Sequence, residues 1–134
     1  MRIMRLSAWT EDFHAVPWRE LARFYRGLSD RHPHFQHMTD IVESVVRSGR
    51  DQDLAATMSM HDLVVTTRPL SEAPIEEVVV RAPGSLVPVA DGTVIVECFS
   101  DVYPGRTVGP VDEAIPLFWQ CVATVLSITP SPTG

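Results

Sequence analysis

Residues 61–99, HDLVVTTRPLSEAPIEEVVVRAPGSLVPVADGTVIVECF, decide the fold of this chain. Three β-branched runs, at 63–67, 77–81 and 93–97, are separated by clusters of Pro and Gly, the pattern of strands in a meander. On the third run Val94, Val96 and Cys98 share one face, while Thr93, Ile95, Glu97 and Phe99 share the other. That alternation puts Cys98 with the core rather than among nucleophiles. Asp91-Gly92 is a turn signal, because Gly accepts the positive φ such turns demand. The connection APGSLVPVADG, residues 82–92, is longer than a tight hairpin and reads either as a Pro-stiffened surface loop or as a segment folded over an opening.

Working back from this stretch, residues 55–60 alternate, with Ala56, Met58 and Met60 against Thr57 and Ser59. The apolar face then changes sides, which calls for a bulge or turn at His61-Asp62. Residues 3–9 read as a further short strand. Between them lie two amphipathic helices. The first follows Pro17 and carries Trp18, Leu21, Ala22, Tyr25 and Leu28 at helical spacing; the second carries Ile41, Val42, Val45 and Val46, with Asp40 and Glu43 as a capping box and Gly49 as its terminator.

Working forward, the last helix starts near Asp112-Glu113. From 117 to 128 its only polar residues are Gln120, Thr124 and Ser127. A helix so nearly apolar all round belongs inside the domain or at an interface between chains. The whole reads as one α+β domain over 1–128, with 129–134 as a disordered tail. Its antiparallel sheet, the three-stranded meander plus one or two N-terminal-side strands, is covered by two amphipathic helices and one buried C-terminal helix.

The 134 residues carry a net charge of −6, unevenly distributed: eight arginines and six acids fall in 1–50, three arginines and eleven acids in 51–134. An acidic chain argues against a nucleic-acid partner, since phosphate binding needs a basic footprint. All eleven basic residues are Arg, and neither Lys nor Asn occurs, a composition expected of a GC-rich bacterial genome. Lysine Schiff-base and Walker-type chemistry are thereby excluded. Two cysteines, Cys98 and Cys121, make neither a disulfide framework nor a metal spacing, and no run is long and apolar enough for a membrane helix or secretory signal. A cytoplasmic protein is the expectation.

Three groups of residues are candidates for chemistry. His61 and Asp62, with Glu97 and Tyr103, offer a histidine acid/base with a carboxylate to orient it and a hydrogen-bond donor. Arg19, Arg23 and Arg26 recur at i, i+4 and i+7 as a basic ridge suited to an anion or an acidic partner. His32, His34 and His37 invite a metal reading, but Pro33 interrupts them and the HExxH pattern is absent, so the segment reads as a polar loop and no metal is expected.

The order of helices followed by a sheet resembles the cone-shaped fold of small isomerases, cyclases and dehydratases related to nuclear transport factor 2, without a residue motif. Two functional classes follow. The first is a non-catalytic binding or regulatory domain of the immunity type, working as a homodimer through residues 117–128 and capping another protein or a small molecule. The alternative, which the resemblance implies, is a small cofactor-independent isomerase or cyclase using the His/carboxylate pair in a sheet pocket. Neither class calls for a cofactor, a nucleic acid or a membrane.

Overall fold

The computed structural model describes residues 13–68 and 76–130. The strand expected at 3–9, the connection holding Pro69 and Pro74, and the end of the tail at 131–134 lie outside them. Two helices come first, α1 (Trp18–Arg31) and α2 (Gln36–Ser48). Five strands follow: β1 (Leu54–Ser59), β2 (Asp62–Thr67), β3 (Glu77–Arg81), β4 (Thr93–Phe99) and β5 (Gly105–Pro110). A closing helix, α3 (Ala114–Leu126), completes the α+β order.

The strands form one antiparallel sheet in the order β1-β2-β3-β4-β5, so the expected meander is its centre. β1 is the expected N-terminal-side strand. β5 is a strand the residue pattern does not announce: GRTVGP holds two glycines and a proline, yet it pairs with β4 from Cys98↔Gly105 to Thr93↔Pro110. Its composition suits an edge, where a proline removes no ladder bond and exposed residues discourage further pairing.

Alternation sorts the sheet into two faces. Leu54, Ala56, Leu63, Val65, Val78, Val80, Val94 and Val96 point to the helices and pack with Tyr25, Met38, Ile41, Phe118 and Val122. On the other face Phe13, Ala55, Val64 and Val79 form a smaller apolar group beside the buried polar residues Thr57, Asp62, Thr66, Glu77 and Glu97. The helix α3 buries Phe118, Trp119, Cys121, Val122, Val125 and Leu126 within its own chain and leaves Gln120, Thr124 and Ser127 exposed. Of the two placements its sequence allows, the domain interior is filled. The helix lies close on β5, where a Cβ on Gly109 would stand 2.5 Å from Leu117 Cδ1.

One local expectation is corrected. α2 starts at Gln36, directly after a 3₁₀ turn (Pro33–Phe35), and has no side-chain cap; Asp40 is already inside the helix, where its carboxylate accepts from Gln36 Nε2 at 2.9 Å. Pro33, which fixes φ for a helical first turn, starts the helix earlier than the apolar spacing implies. Gly49 does end it, at φ 79°. The face change near residue 61 is made by the turn, one of the two expected forms, as a two-residue hairpin at Met60-His61 with Ser59 opposite Asp62.

Both hairpin residues have positive φ, 51° at Met60 and 77° at His61, in a turn that ordinarily selects Asn-Gly. Each non-glycine residue there carries strain on the order of 1 kcal/mol. Helix α1 holds the turn. Tyr25, fully buried, donates its hydroxyl to the His61 carbonyl at 2.7 Å, and the His61 ring lies against Phe24 and Phe35, at centroid distances of 5.9 and 5.7 Å. Replacing Tyr25 by Phe is therefore expected to lower stability by about 1 kcal/mol with the fold retained, as measured by urea unfolding. An unchanged midpoint would show that ring contacts alone hold the turn.

Candidate functional site

The structure brings Asp62 and Glu97 together, but through an arginine rather than a histidine. On the face away from the helices, Asp62 Oδ1 accepts from the Ala82 N–H at 2.7 Å, and Oδ2 accepts from Ser85 Oγ at 2.8 Å and Arg81 Nη1 at 3.0 Å. Arg81 also donates through Nε to Glu97 Oε1, and Arg106 donates to Glu97 Oε2 through Nε at 3.1 Å and Nη2 at 2.9 Å. Burial disfavours the Glu97 charge, yet the hydrogen bonds from Arg81 and Arg106 prevail and hold its carboxyl below its ordinary value. Every oxygen of both carboxylates accepts at least one hydrogen bond. The arrangement ties β2, β3, β4, β5 and the 82–92 connection together, and a carboxylate so engaged is a poor proton acceptor.

His61 does not join it. Its ring lies on the helix side against Phe24 and Phe35, whereas the Asp62 side chain faces the other way, so adjacent residues stand on opposite faces. Tyr103 is more than half exposed in the β4–β5 connection, and the antiparallel order places that connection at the end of the sheet away from the Met60-His61 turn. It borders a hollow with Cys98 and Cys121. Burial, with Cys121 beside it, pushes the Cys98 thiol up to about 12, which leaves little thiolate. The four residues named as one acid/base set are thus dispersed over two faces and two ends.

The basic ridge is partly engaged as well. Arg26 is ion-paired with Glu43 of α2, and Arg19 and Arg23 remain on the exposed face of α1. Of the three histidines, His32 and His34 stand with their rings 5.9 Å apart on the surface, His34 packs on Phe35 at 4.8 Å, and His37 turns inward. Among the described residues no three His, Cys, Asp or Glu side chains come together as metal ligands.

His37 leads to the site that the sequence did not single out. At the end of the sheet where the β1–β2 turn, the 82–92 connection and the β5–α3 junction converge, two adjoining hollows of about 360 and 430 Å³ share His34, His37, Gly92 and Val111. The first also has Asp40, Asp112 and Ile115; the second has Pro83, Val89 and Asp91. The 82–92 connection, exposed or half-buried from Pro83 to Gly92, contributes one side of the second hollow. The size falls within the range of small-ligand pockets, and the lining mixes apolar side chains with a few convergent polar ones.

His37 is only 7% exposed, and its Nε2 has no hydrogen-bond partner among the described residues. It is held there because residue 37 falls in the first turn of α2 beside Met38 and Ile41, both fully buried. Burial pushes its pKa down; Asp40 opposes that shift and His34 adds to it, so the imidazole is kept neutral. Spacing in sequence grouped His37 with His32 and His34; only the tertiary approach of Gly92 and Val111 reveals it as a cleft residue. The one local sign was that residue 37 continues the buried stripe of Ile41 and Val45 at helical spacing.

Comparison of the chain with protein-family models, curated proteins and solved structures finds no match. No helix among the described residues is long and apolar enough to cross a membrane.

The depressed pKa of His37 carries a stability consequence with a definite sign. The folded state binds the proton less readily than the unfolded chain, whose histidines titrate near 6.5, so stability is greatest above about pH 6.5 and is lost as pH falls from there. Urea midpoints measured from pH 7.5 to 5 are expected to fall on acidification, and His37→Gln is expected to flatten that slope. A slope identical in the variant would contradict the assignment.

Proposed function

We propose that this protein is a binding domain whose ligand site is the cleft at the start of α2, rather than an enzyme working through His61. The observation that supports this reading is a cleft lined by the buried His37, where three elements of the fold end together. The carboxylates named as catalytic are taken up in holding the sheet together. One chain builds the whole cleft, so ligand binding in this reading does not depend on a second copy, whether or not two copies associate.

The enzymatic alternative moves with the histidine. A neutral imidazole next to Asp40 in a partly apolar cleft is suited to proton abstraction, so a cofactor-independent isomerase or cyclase would use His37 and Asp40 in place of His61 and Asp62. Backbone and imidazole NMR of the labelled chain with mixtures of small metabolites tests where ligands go. Shifts concentrated at His34, His37, Gly92 and Val111 are expected. Shifts confined to Tyr103, Cys98 and Arg106 would move the site to the other end of the sheet and overturn the proposal.

A further inference from the structure

We infer that Cys98 and Cys121 close a reversible disulfide between β4 and α3, a redox-sensitive tie that fastens the edge strand β5 and the 3₁₀ turn Val111–Glu113 to the domain. The inference is independent of the cleft at the start of α2. These are the only two cysteines of the chain, far apart in sequence and on different elements, yet the fold brings them together. Cys98 shares the helix-facing side of β4 with Val94 and Val96 and packs on the core, while Cys121 lies among the buried residues of α3. The Cys98 thiol donates a hydrogen bond to Cys121 Sγ, so each sulfur is within reach of the other. Both also line the hollow of about 490 Å³ at the Tyr103 end of the sheet, which opens the pair to a small oxidant.

The bond needs a two-electron oxidant, and a hydroperoxide is the class proposed. One thiol, as its thiolate, attacks the O–O bond and becomes a sulfenic acid, while the other peroxide oxygen leaves as water or an alcohol. The second sulfur then attacks the first, the S–S bond forms, and the sulfenic oxygen departs as water with the second thiol's proton. The two thiols lose two electrons and the hydroperoxide gains them. Burial, with Cys121 beside it, keeps the proton on Cys98, so thiolate is scarce and the tie forms slowly at neutral pH. Among the described residues no third His, Cys, Asp or Glu joins the pair as a metal ligand, which favours a bond between the sulfurs over a shared metal. The disulfide encloses residues 99–120, including β5, the most exposed strand of the sheet. Closing that loop restricts the unfolded chain and holds β5 where its own packing is weakest.

Hydrogen peroxide is the probe, applied to the whole chain, with free thiols then trapped by iodoacetamide in urea and the protein mapped with trypsin. Cleavage at Arg81 and Arg106 puts Cys98 in peptide 82–106 and Cys121 in peptide 107–134. The expected result is a crosslink between these peptides within one chain, released by dithiothreitol. The crosslinked protein should have a higher urea midpoint than the same sample after dithiothreitol, a comparison in which methionine oxidation is unchanged. Cys98→Ala, at a half-buried position, should lose both the crosslink and the rise in midpoint. Thiols that stay free, a sulfinic acid at either cysteine without the crosslink, or bonds between chains on a non-reducing gel would each overturn the inference. A crosslink that lowers the midpoint would also overturn it, because the bond would then distort the native packing rather than fasten it.

Discussion

Apolar contact between three helices and one face of the sheet is the interaction on which everything else here depends. Val65, Val78, Val80, Val94 and Val96 are fully buried under Tyr25, Met38, Ile41, Phe118 and Val122. At about 25 cal/mol per Å² of apolar surface, such burial is the dominant favourable term in a domain of this size. Because strand side chains alternate, committing one set to the helices commits the intervening set to the other face. That second set contains Asp62, Arg81 and Glu97, which resolve their burial by binding one another. The ionic network is therefore a consequence of the packing register. Desolvating such groups offsets much of their mutual attraction, so its value lies in register and in anchoring the 82–92 connection through Ala82 and Ser85 more than in net stability.

The same packing concentrates strain and opportunity at one end of the sheet. The Met60-His61 turn, the 82–92 connection, the β5–α3 junction and the start of α2 all meet there, and His34 and Phe35 link the aromatic contacts of the turn to the cleft. The turn is strained and clamped by Tyr25; the cleft holds a buried imidazole with an unsatisfied nitrogen. Departures from local rule of this kind cluster at functional sites in folded proteins. At the other end, Tyr103 and Cys98 border a hollow in which the thiol is held protonated.

Much of the fold was legible in the residues, and little of the site was. The β-branched runs, the Asp91-Gly92 turn and the Gly49 terminator act through local conformation, so they read directly and β2, β3 and β4 appear where expected. β5 escaped because an edge strand needs only a partner's hydrogen bonds, and GRTVGP supplies backbone without a patterned side-chain face. Asp40 was misread because Pro33 starts the helix sooner than any cap. For the site, adjacency in sequence misled: His61 and Asp62 stand together in the chain and apart in space, separated by the alternation of a strand that begins between them. His37, Asp40, Gly92 and Asp112 meet only through tertiary approach, which neither spacing nor motif records.

A crystallographic fragment screen on the intact chain tests most directly the claim that the cleft at the start of α2 is where this protein binds. The account predicts fragments clustered between His34, His37, Gly92 and Val111. Fragments that gather instead in the hollow beside Tyr103 and Cys98, leaving His37 untouched, would contradict it.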